Sequence, residues 1–157
     1  PNGNGTDLDV IQLDNISFTV SSSAGYQGVA SINGVTGAQS GDDDGDSLSN
    51  VLEYAFGSDP KDSSSVRRVN SQIVENGGNK FLEIQYSRRK SANNYSALRV
   101  WRTTDLTNPN WELGTTELIS VTDDNNEATI ENVIERSRFS TDSLDKAFYK
   151  MDVVVAP

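Results

Sequence analysis

Hydrophobic and polar residues alternate along several stretches of this chain. In FLEIQYS, the apolar residues Leu82, Ile84 and Tyr86 fall on one face of an extended segment. In YSALRVWRTT, Leu98 and Val100 do the same. Because successive side chains of a β-strand point to opposite faces, both stretches are predicted strands with one buried face.

Turn-forming residues recur about every ten residues after Val66, as they do between short strands. Asn76-Gly77-Gly78-Asn79 supplies positive-φ residues for a hairpin turn. Further strands are predicted near Trp111–Leu113, Glu117–Thr122, Ala128–Ile134 and Ala147–Val154. Six or so short strands, with no long helix and no parallel crossover, predict a mainly β fold, a small antiparallel β-sandwich of the immunoglobulin or jelly-roll type.

Two serine runs divide the chain. DLDVIQLDNISFTV, residues 7–20, has a strand-like alternation and is followed by SSSAG at 21–25. A second run, DSSS at 62–65, precedes the strand-rich part. We therefore expect a strand or strands in 1–20, a linker with an acidic loop and a short helix in 21–65, and the sandwich in 66–157.

The amino-acid composition limits the catalytic mechanisms and partners that the protein can have. The 157 residues include no histidine and no cysteine, which removes the usual serine, cysteine and zinc hydrolase mechanisms and leaves only carboxylate catalysis. No run of about 18 apolar residues is present to span a bilayer. The net charge of −10 disfavours nucleic acid, although residues 66–102 carry eight bases and two acids. We expect a monomer with neither a nucleic-acid nor a membrane partner.

The acidic stretch GDDDGDSLSNVLEYAFGSDP has the ligand spacing of an EF-hand loop. With Asp42 as position one, Asp44 is third, Asp46 fifth, Leu48 seventh and Glu53 twelfth. Three alternate carboxylates on a tight loop converge on one point, Leu48 offers its backbone carbonyl, and Glu53 reaches back from a helix. The spacing predicts a Ca²⁺ site built from these residues, because clustered carboxylates need a hard cation between them.

The residues after the loop predict a short amphipathic helix. Asn50 and Glu53 have the spacing of a capping box, and Gly57 is a C-terminal stop. Ser47 holds the sixth loop position, where glycine normally permits a left-handed backbone, at a cost of about 1 kcal/mol. We therefore expect a modest calcium affinity, which fits the high calcium concentration outside cells. Whether Asp59 or Asp62 adds a ligand is left open by the spacing.

The run DDDGDSLSNVLEYAFGSDP resembles the "DxDGDGLSNLLEYALGTDP" segment, related to dockerin and thrombospondin type-3 calcium loops, of large secreted proteins of Verrucomicrobia, Planctomycetes and other marine bacteria. FLEIQYSRRKSANNYSALRVWRTTDLTNPNW and AFYKMDVVV resemble that family's sandwich strands. The resemblance covers about residues 26–156. It implies a non-catalytic C-terminal module on an exported protein, often a polysaccharide-degrading enzyme. Residues 7–20 resemble the last strand of a jelly-roll, a piece of the preceding domain or a strand docking to it.

Trp101 and Arg102 depart from the family pattern before the "STDL" segment. Trp101, with Arg99 and Tyr95 on the outer strand face and Arg89 nearby, would form an aromatic and cationic platform for a polysaccharide, sulfated or carboxylated. Alternatively, Trp101 covers a hydrophobic patch or packs under residues 1–20, which large aromatic residues do more often. Trp111 is predicted to lie in the core.

The sequence thus predicts a calcium-binding, non-catalytic accessory module of a secreted bacterial protein that binds an anionic polysaccharide and targets a covalently linked catalytic domain to it. A structural spacer or a cell-surface sorting module without a glycan ligand is the alternative. A small carboxylate enzyme is a weaker one, because no pair such as Glu83 and Glu131 is marked out by spacing.

Overall fold

The computed structural model describes residues 17–19, 41–90, 96–143 and 146–155 of the chain. The strand predicted over residues 7–20 lies outside this part except for 17–19, and so does Tyr95. The secondary-structure elements are β1 (Ser17–Thr19), α1 (Asn50–Phe56), β2 (Asn70–Asn76), β3 (Asn79–Arg89), β4 (Ser96–Thr103), β5 (Thr116–Asp123), β6 (Ile130–Ser137), a 3₁₀ turn (Thr141–Ser143) and β7 (Phe148–Val155).

The strands form two sheets. One has three strands in the order β1-β7-β4, and the other has four in the order β2-β3-β6-β5. The mainly β prediction is confirmed, and two such sheets are consistent with a small β-sandwich. β1, which lies outside the 66–157 range of the predicted sandwich, pairs with β7 in parallel. Strands so far apart in sequence are not joined by a hairpin, so local turn signals do not reveal their direction.

The hairpin between β2 and β3 follows the predicted turn. Asn76 pairs with Asn79, and the two residues between them, Gly77 and Gly78, have φ values of 62° and 80°. Two consecutive positive φ angles match the right-handed twist of the flanking strands, and glycine adopts them without a Cβ penalty.

One hydrophobic cluster takes side chains from both sheets and from the helix. The predicted inner residues of β3, Leu82, Ile84 and Tyr86, are buried there, as is Val100 of β4. Each such side chain contributes roughly 1.5–3 kcal/mol relative to an exposed position. The predicted boundary at residue 65 separates the helix from the strands in sequence, whereas they share one cluster in space.

Helix α1 is buried on every side, not on one face as its amphipathic pattern predicted. All seven of its residues are buried, including the polar Asn50 and Glu53. The apolar side chains join the hydrophobic cluster, and Asn50 is hydrogen-bonded to Asp43 of the acidic loop. A short helix has little stability of its own, so this helix depends on those contacts.

Gly57 ends the helix, as predicted. Its φ is 86°, and the backbone N–H groups of Gly57 and Ser58 both donate to the Glu53 carbonyl, at 2.7 and 2.8 Å. A Cβ at position 57 would overlap the side chain of Ile130, which is itself fully buried. Glycine is thus required here for both its conformation and its size.

We predict that Gly57→Ala costs more stability than Gly78→Ala. Both glycines have positive φ, which costs an alanine about 1 kcal/mol, but only at Gly57 does the new methyl meet a packed side chain, adding roughly 1–3 kcal/mol. Urea unfolding of the two variants measures the difference. Equal losses would show that the Gly57–Ile130 contact is not tight.

Arg67 ties the segment after the helix to the β5–β6 turn. Its Nε donates to the Gly57 carbonyl at 3.2 Å, and its terminal nitrogens pair with Asp124 at 3.1 Å and Glu127 at 2.7 Å. The pKa of Asp124 is lowered, first by the backbone N–H of Asn126 and then by the Arg67 guanidinium.

The lowered pKa of Asp124 makes the stability of the protein depend on pH. The ionised carboxylate stabilises the folded state above the unfolded-state pKa of 3.8, and this stabilisation is lost as the pH falls through the lower pKa of the folded state. Asp124→Asn should therefore lower the melting temperature at pH 7, and the deficit should shrink toward pH 2. Asp123→Asn, which removes the exposed pair with Lys90, should have little effect at either pH. A deficit for Asp124→Asn that is the same at both pH values would contradict the expectation.

Candidate metal centre

The acidic loop is held in shape by its own aspartates. The Asp42 carboxylate accepts hydrogen bonds from the backbone N–H groups of Gly45 at 2.7 Å and Ser47 at 2.9 Å. Asp44 and Asp46 each accept one from the N–H two residues further on, at 3.1 and 2.7 Å. These bonds wind the loop tightly, so that the carboxylates of alternate residues turn toward each other.

Carboxylate oxygens of Asp42, Asp44 and Asp46 all lie within 4.8 Å of one another. Desolvation acts to raise the pKa of Asp42, but hydrogen bonds from Ser47 and Gly45 outweigh it and lower the pKa. The pKa of Asp44 is raised, chiefly by desolvation and further by the charges of Asp46 and Asp42. Its Oδ2 is buried and has no hydrogen-bond partner in the residues that the structure describes. The three acids that the spacing singled out are thus brought together.

Glu53 is the fourth predicted acid, and its side chain is fully buried. Within the described part of the chain, neither carboxylate oxygen has a hydrogen-bond partner. Burial, followed by repulsion from the charges of Asp44, Asp46 and Asp42, raises the pKa of Glu53 to about 8. A buried acid without a partner carries a penalty of several kcal/mol when ionised, so without a cation Glu53 holds a proton at neutral pH.

The predicted capping box is wrong. The N-cap residue is Ser49, whose side chain makes no capping bond, and Asn50 is the first helical residue. Asn50 instead clamps the loop: its Oδ1 accepts from the Asp43 N–H at 3.1 Å, and its Nδ2 donates to Asp43 Oδ1 at 3.0 Å. Its backbone N–H donates to the Gly41 carbonyl at 2.7 Å. The Asn-x-x-Glu spacing did not reveal this role, because Asn50 reaches backward in the chain.

Leu48 joins the loop to the core, since its side chain packs against the hydrophobic cluster. Its carbonyl as a ligand stays a prediction. The carboxylates of Asp59 and Asp62 cap their own turns, accepting from the backbone N–H groups of Lys61 at 3.1 Å and Ser64 at 3.0 Å.

The predicted carbohydrate-binding residues are only partly brought together. Arg99 and Trp101 lie on the outer face of β4, where Arg99 is exposed and Trp101 half-buried. Arg89 belongs to β3 in the other sheet, where its Nε donates to the Tyr54 carbonyl at 2.9 Å and its guanidinium stacks 4.7 Å from the Tyr54 ring centre. Tyr95 lies outside the described residues.

Lys150, which no sequence pattern singled out, lies over the rings of Trp101 and Trp111. Lys150 of β7 pairs with Trp101 of β4, and its Nζ lies 5.7 Å from the Trp101 ring centre and 4.5 Å from that of Trp111. Trp111, predicted to be core, is half-buried. The pairing of β4 with β7 creates this group, so no local pattern could have predicted it.

No family model, curated protein or solved structure matches this chain. Among the described residues, no helix is long and apolar enough to cross a membrane. The resemblance to the calcium-loop family therefore stays a prediction based on the sequence motif.

Ser47 has a φ of 77° and is the sole non-glycine residue with positive φ in the described part of the chain. This is the left-handed backbone expected at the sixth loop position. We predict that Ser47→Gly stabilises the protein by up to about 1 kcal/mol through relief of this strain. Gly45→Ala, at a φ of 78° and with open space around it, should destabilise by about the same amount. Chemical denaturation measures both; a destabilising Ser47→Gly would contradict the strain at this position.

Proposed function

We propose that this chain is a calcium-binding, non-catalytic accessory module. The ion is bound by Asp42, Asp44, Asp46, the backbone carbonyl of Leu48, and Glu53. The observation that carries this proposal is the Glu53 carboxylate, which is fully buried, has no hydrogen-bond partner among the described residues and is repelled by the three clustered aspartates. A bound divalent cation would supply the missing partner and offset the repulsion among the four acids.

Calcium fits this group of ligands better than other metals. Carboxylate and carbonyl oxygens are hard ligands, which disfavours copper and zinc, and the chain has no histidine or cysteine to select those metals. Magnesium requires a strict octahedron and keeps several waters, whereas calcium accepts six to eight flexible oxygens. The strained Ser47 favours a modest affinity, which suits the calcium concentrations of a secreted protein.

The role of the ion follows from the position of α1. Glu53 belongs to a helix whose apolar side chains join the cluster shared by both sheets. An ion bound to the loop and to Glu53 would therefore fix the loop to the helix and the helix to the sandwich. The proposed effect of calcium is thermodynamic stabilisation of the whole module.

The larger role that we propose is targeting: the module belongs to a secreted bacterial protein, binds an acidic polysaccharide and keeps a linked catalytic domain on it. The exposed Arg99 and the half-buried Trp101 on one sheet face support a binding role. The alternative is a spacer or a surface-sorting module without a glycan ligand. Lys150 over the indole rings favours this alternative, because it occupies faces that a sugar would stack on.

We predict that calcium raises the melting temperature of the wild-type chain and that Glu53→Gln abolishes most of this rise. Saturation at 100 times the dissociation constant corresponds to about 2.7 kcal/mol of added stability. In chelator, the variant should be no less stable than the wild type, because it buries a neutral amide and no ionisable acid. Differential scanning calorimetry with calcium and with chelator measures both effects.

Glu112→Gln provides a control, since it makes the same chemical change on an exposed side chain outside the loop and should keep the full calcium response. A wild-type melt that chelator leaves unchanged would overturn the calcium proposal. An equal calcium response in Glu53→Gln and wild type would remove Glu53 from the site.

A further inference from the structure

A polar groove crosses the outer face of the four-stranded sheet, on the side away from the hydrophobic cluster. Its volume is about 220 Å³. The residues that line the groove include Arg68, Asn70, Gln85, Ser87, Asn132 and Ile134. Pockets for drug-sized ligands span roughly 300–1,000 Å³, so this groove has room for one ring-sized unit of a longer chain.

The strand register places these side chains in two rows across the sheet. Asn70, Gln85 and Ile134 are paired neighbours on β2, β3 and β6. Ser87 and Asn132 form the next row, where the Ser87 hydroxyl donates to Asn132 Oδ1 at 2.8 Å. Since directly paired residues point to the same face, both rows face the groove.

Three of the lining side chains keep their hydrogen-bonding groups unused. Among the described residues, no hydrogen bond or ion pair is made by the side chain of Arg68, Asn70 or Gln85. Neighbouring cations differ in this respect: Arg67 pairs with Asp124, and Arg88 pairs with Glu131 at 2.7 Å. Arg68 is therefore an exposed cation beside two amides, with the half-buried Ile134 on the floor.

We propose that this groove is the glycan site of the module and that it holds one acidic sugar unit of a polysaccharide; this inference rests on the polysaccharide-binding function proposed above. The Arg68 guanidinium binds the carboxylate or sulfate group of the unit. The Asn70 and Gln85 amides, which both donate and accept, bind its hydroxyl groups. Ile134 contacts the apolar face of the sugar ring.

The groove is better suited to a sugar than the Trp101 face. There the rings of Trp101 and Trp111 already contact Lys150, whereas the side chains of Arg68, Asn70 and Gln85 have no hydrogen-bond partner among the described residues. Its single unpaired cation also provides a local attraction in a chain whose net charge is −10. A ligand at this face would lie across three strands of a rigid sheet.

The test is affinity electrophoresis of the calcium-loaded full chain through native gels containing alginate, carrageenan or fucoidan, with agarose and a neutral glucan for comparison. We expect retardation in at least one acidic gel. Arg68→Gln should weaken the apparent affinity roughly tenfold or more, because a charge-assisted hydrogen bond is lost, and Gln85→Ala and Asn70→Ala should weaken it several-fold. Thermal melts establish that each variant folds; if Gln85→Ala does not, Arg68→Gln and Asn70→Ala decide.

Lys61→Gln is the matched control, since it removes an exposed cation outside the groove and changes mobility by the same charge. It should keep the wild-type affinity, and Arg99→Gln and Trp101→Ala test the alternative site on the other sheet. Retention of binding in the groove variants with loss in Arg99→Gln or Trp101→Ala would overturn the groove and preserve the polysaccharide-binding function. No retardation of the wild type in any gel would overturn both the groove and the polysaccharide-binding function. The thermal melts with calcium and with chelator test the calcium site independently.

Discussion

The structure depends on how the charge of one buried carboxylate is balanced. Glu53 is fully buried on a helix that shares one hydrophobic cluster with both sheets, and its carboxylate has no hydrogen-bond partner within the described part of the chain. Three aspartates converge nearby, so ionisation of Glu53 is opposed by desolvation and by like charge. A bound cation would offset both the desolvation cost and the like-charge repulsion. The same residues that destabilise the metal-free fold would thus stabilise the calcium-bound one.

Several contacts link this site to the rest of the fold. Asn50 fixes the start of the loop to the helix, Gly57 ends the helix against Ile130, and Arg67 holds the following segment to the β5–β6 turn. A change in the loop is therefore transmitted to the core through few intermediates. This coupling accompanies the complete burial of so short a helix.

Local signals predicted much of the fold and of the site. The inner face of β3, the Gly77-Gly78 turn, the helix stop at Gly57 and the convergence of the three aspartates follow from periodicity, backbone freedom and spacing. Long-range pairings were not predictable in this way. The parallel contact of β1 with β7 and the position of Lys150 over two tryptophans depend on strands distant in sequence. The predicted capping box failed because a burial-driven contact with Asp43 takes the place of the cap.

We propose that one calcium ion binds between the loop and Glu53. Equilibrium dialysis of the chelator-treated chain against calcium measures this directly. We expect one ion bound per chain, with a dissociation constant on the order of 10⁻⁴–10⁻³ M, as in extracellular modules. Glu53→Gln should lose that ion at the same free calcium concentration. Absence of bound calcium at several times the upper value, or full binding by Glu53→Gln, would contradict it.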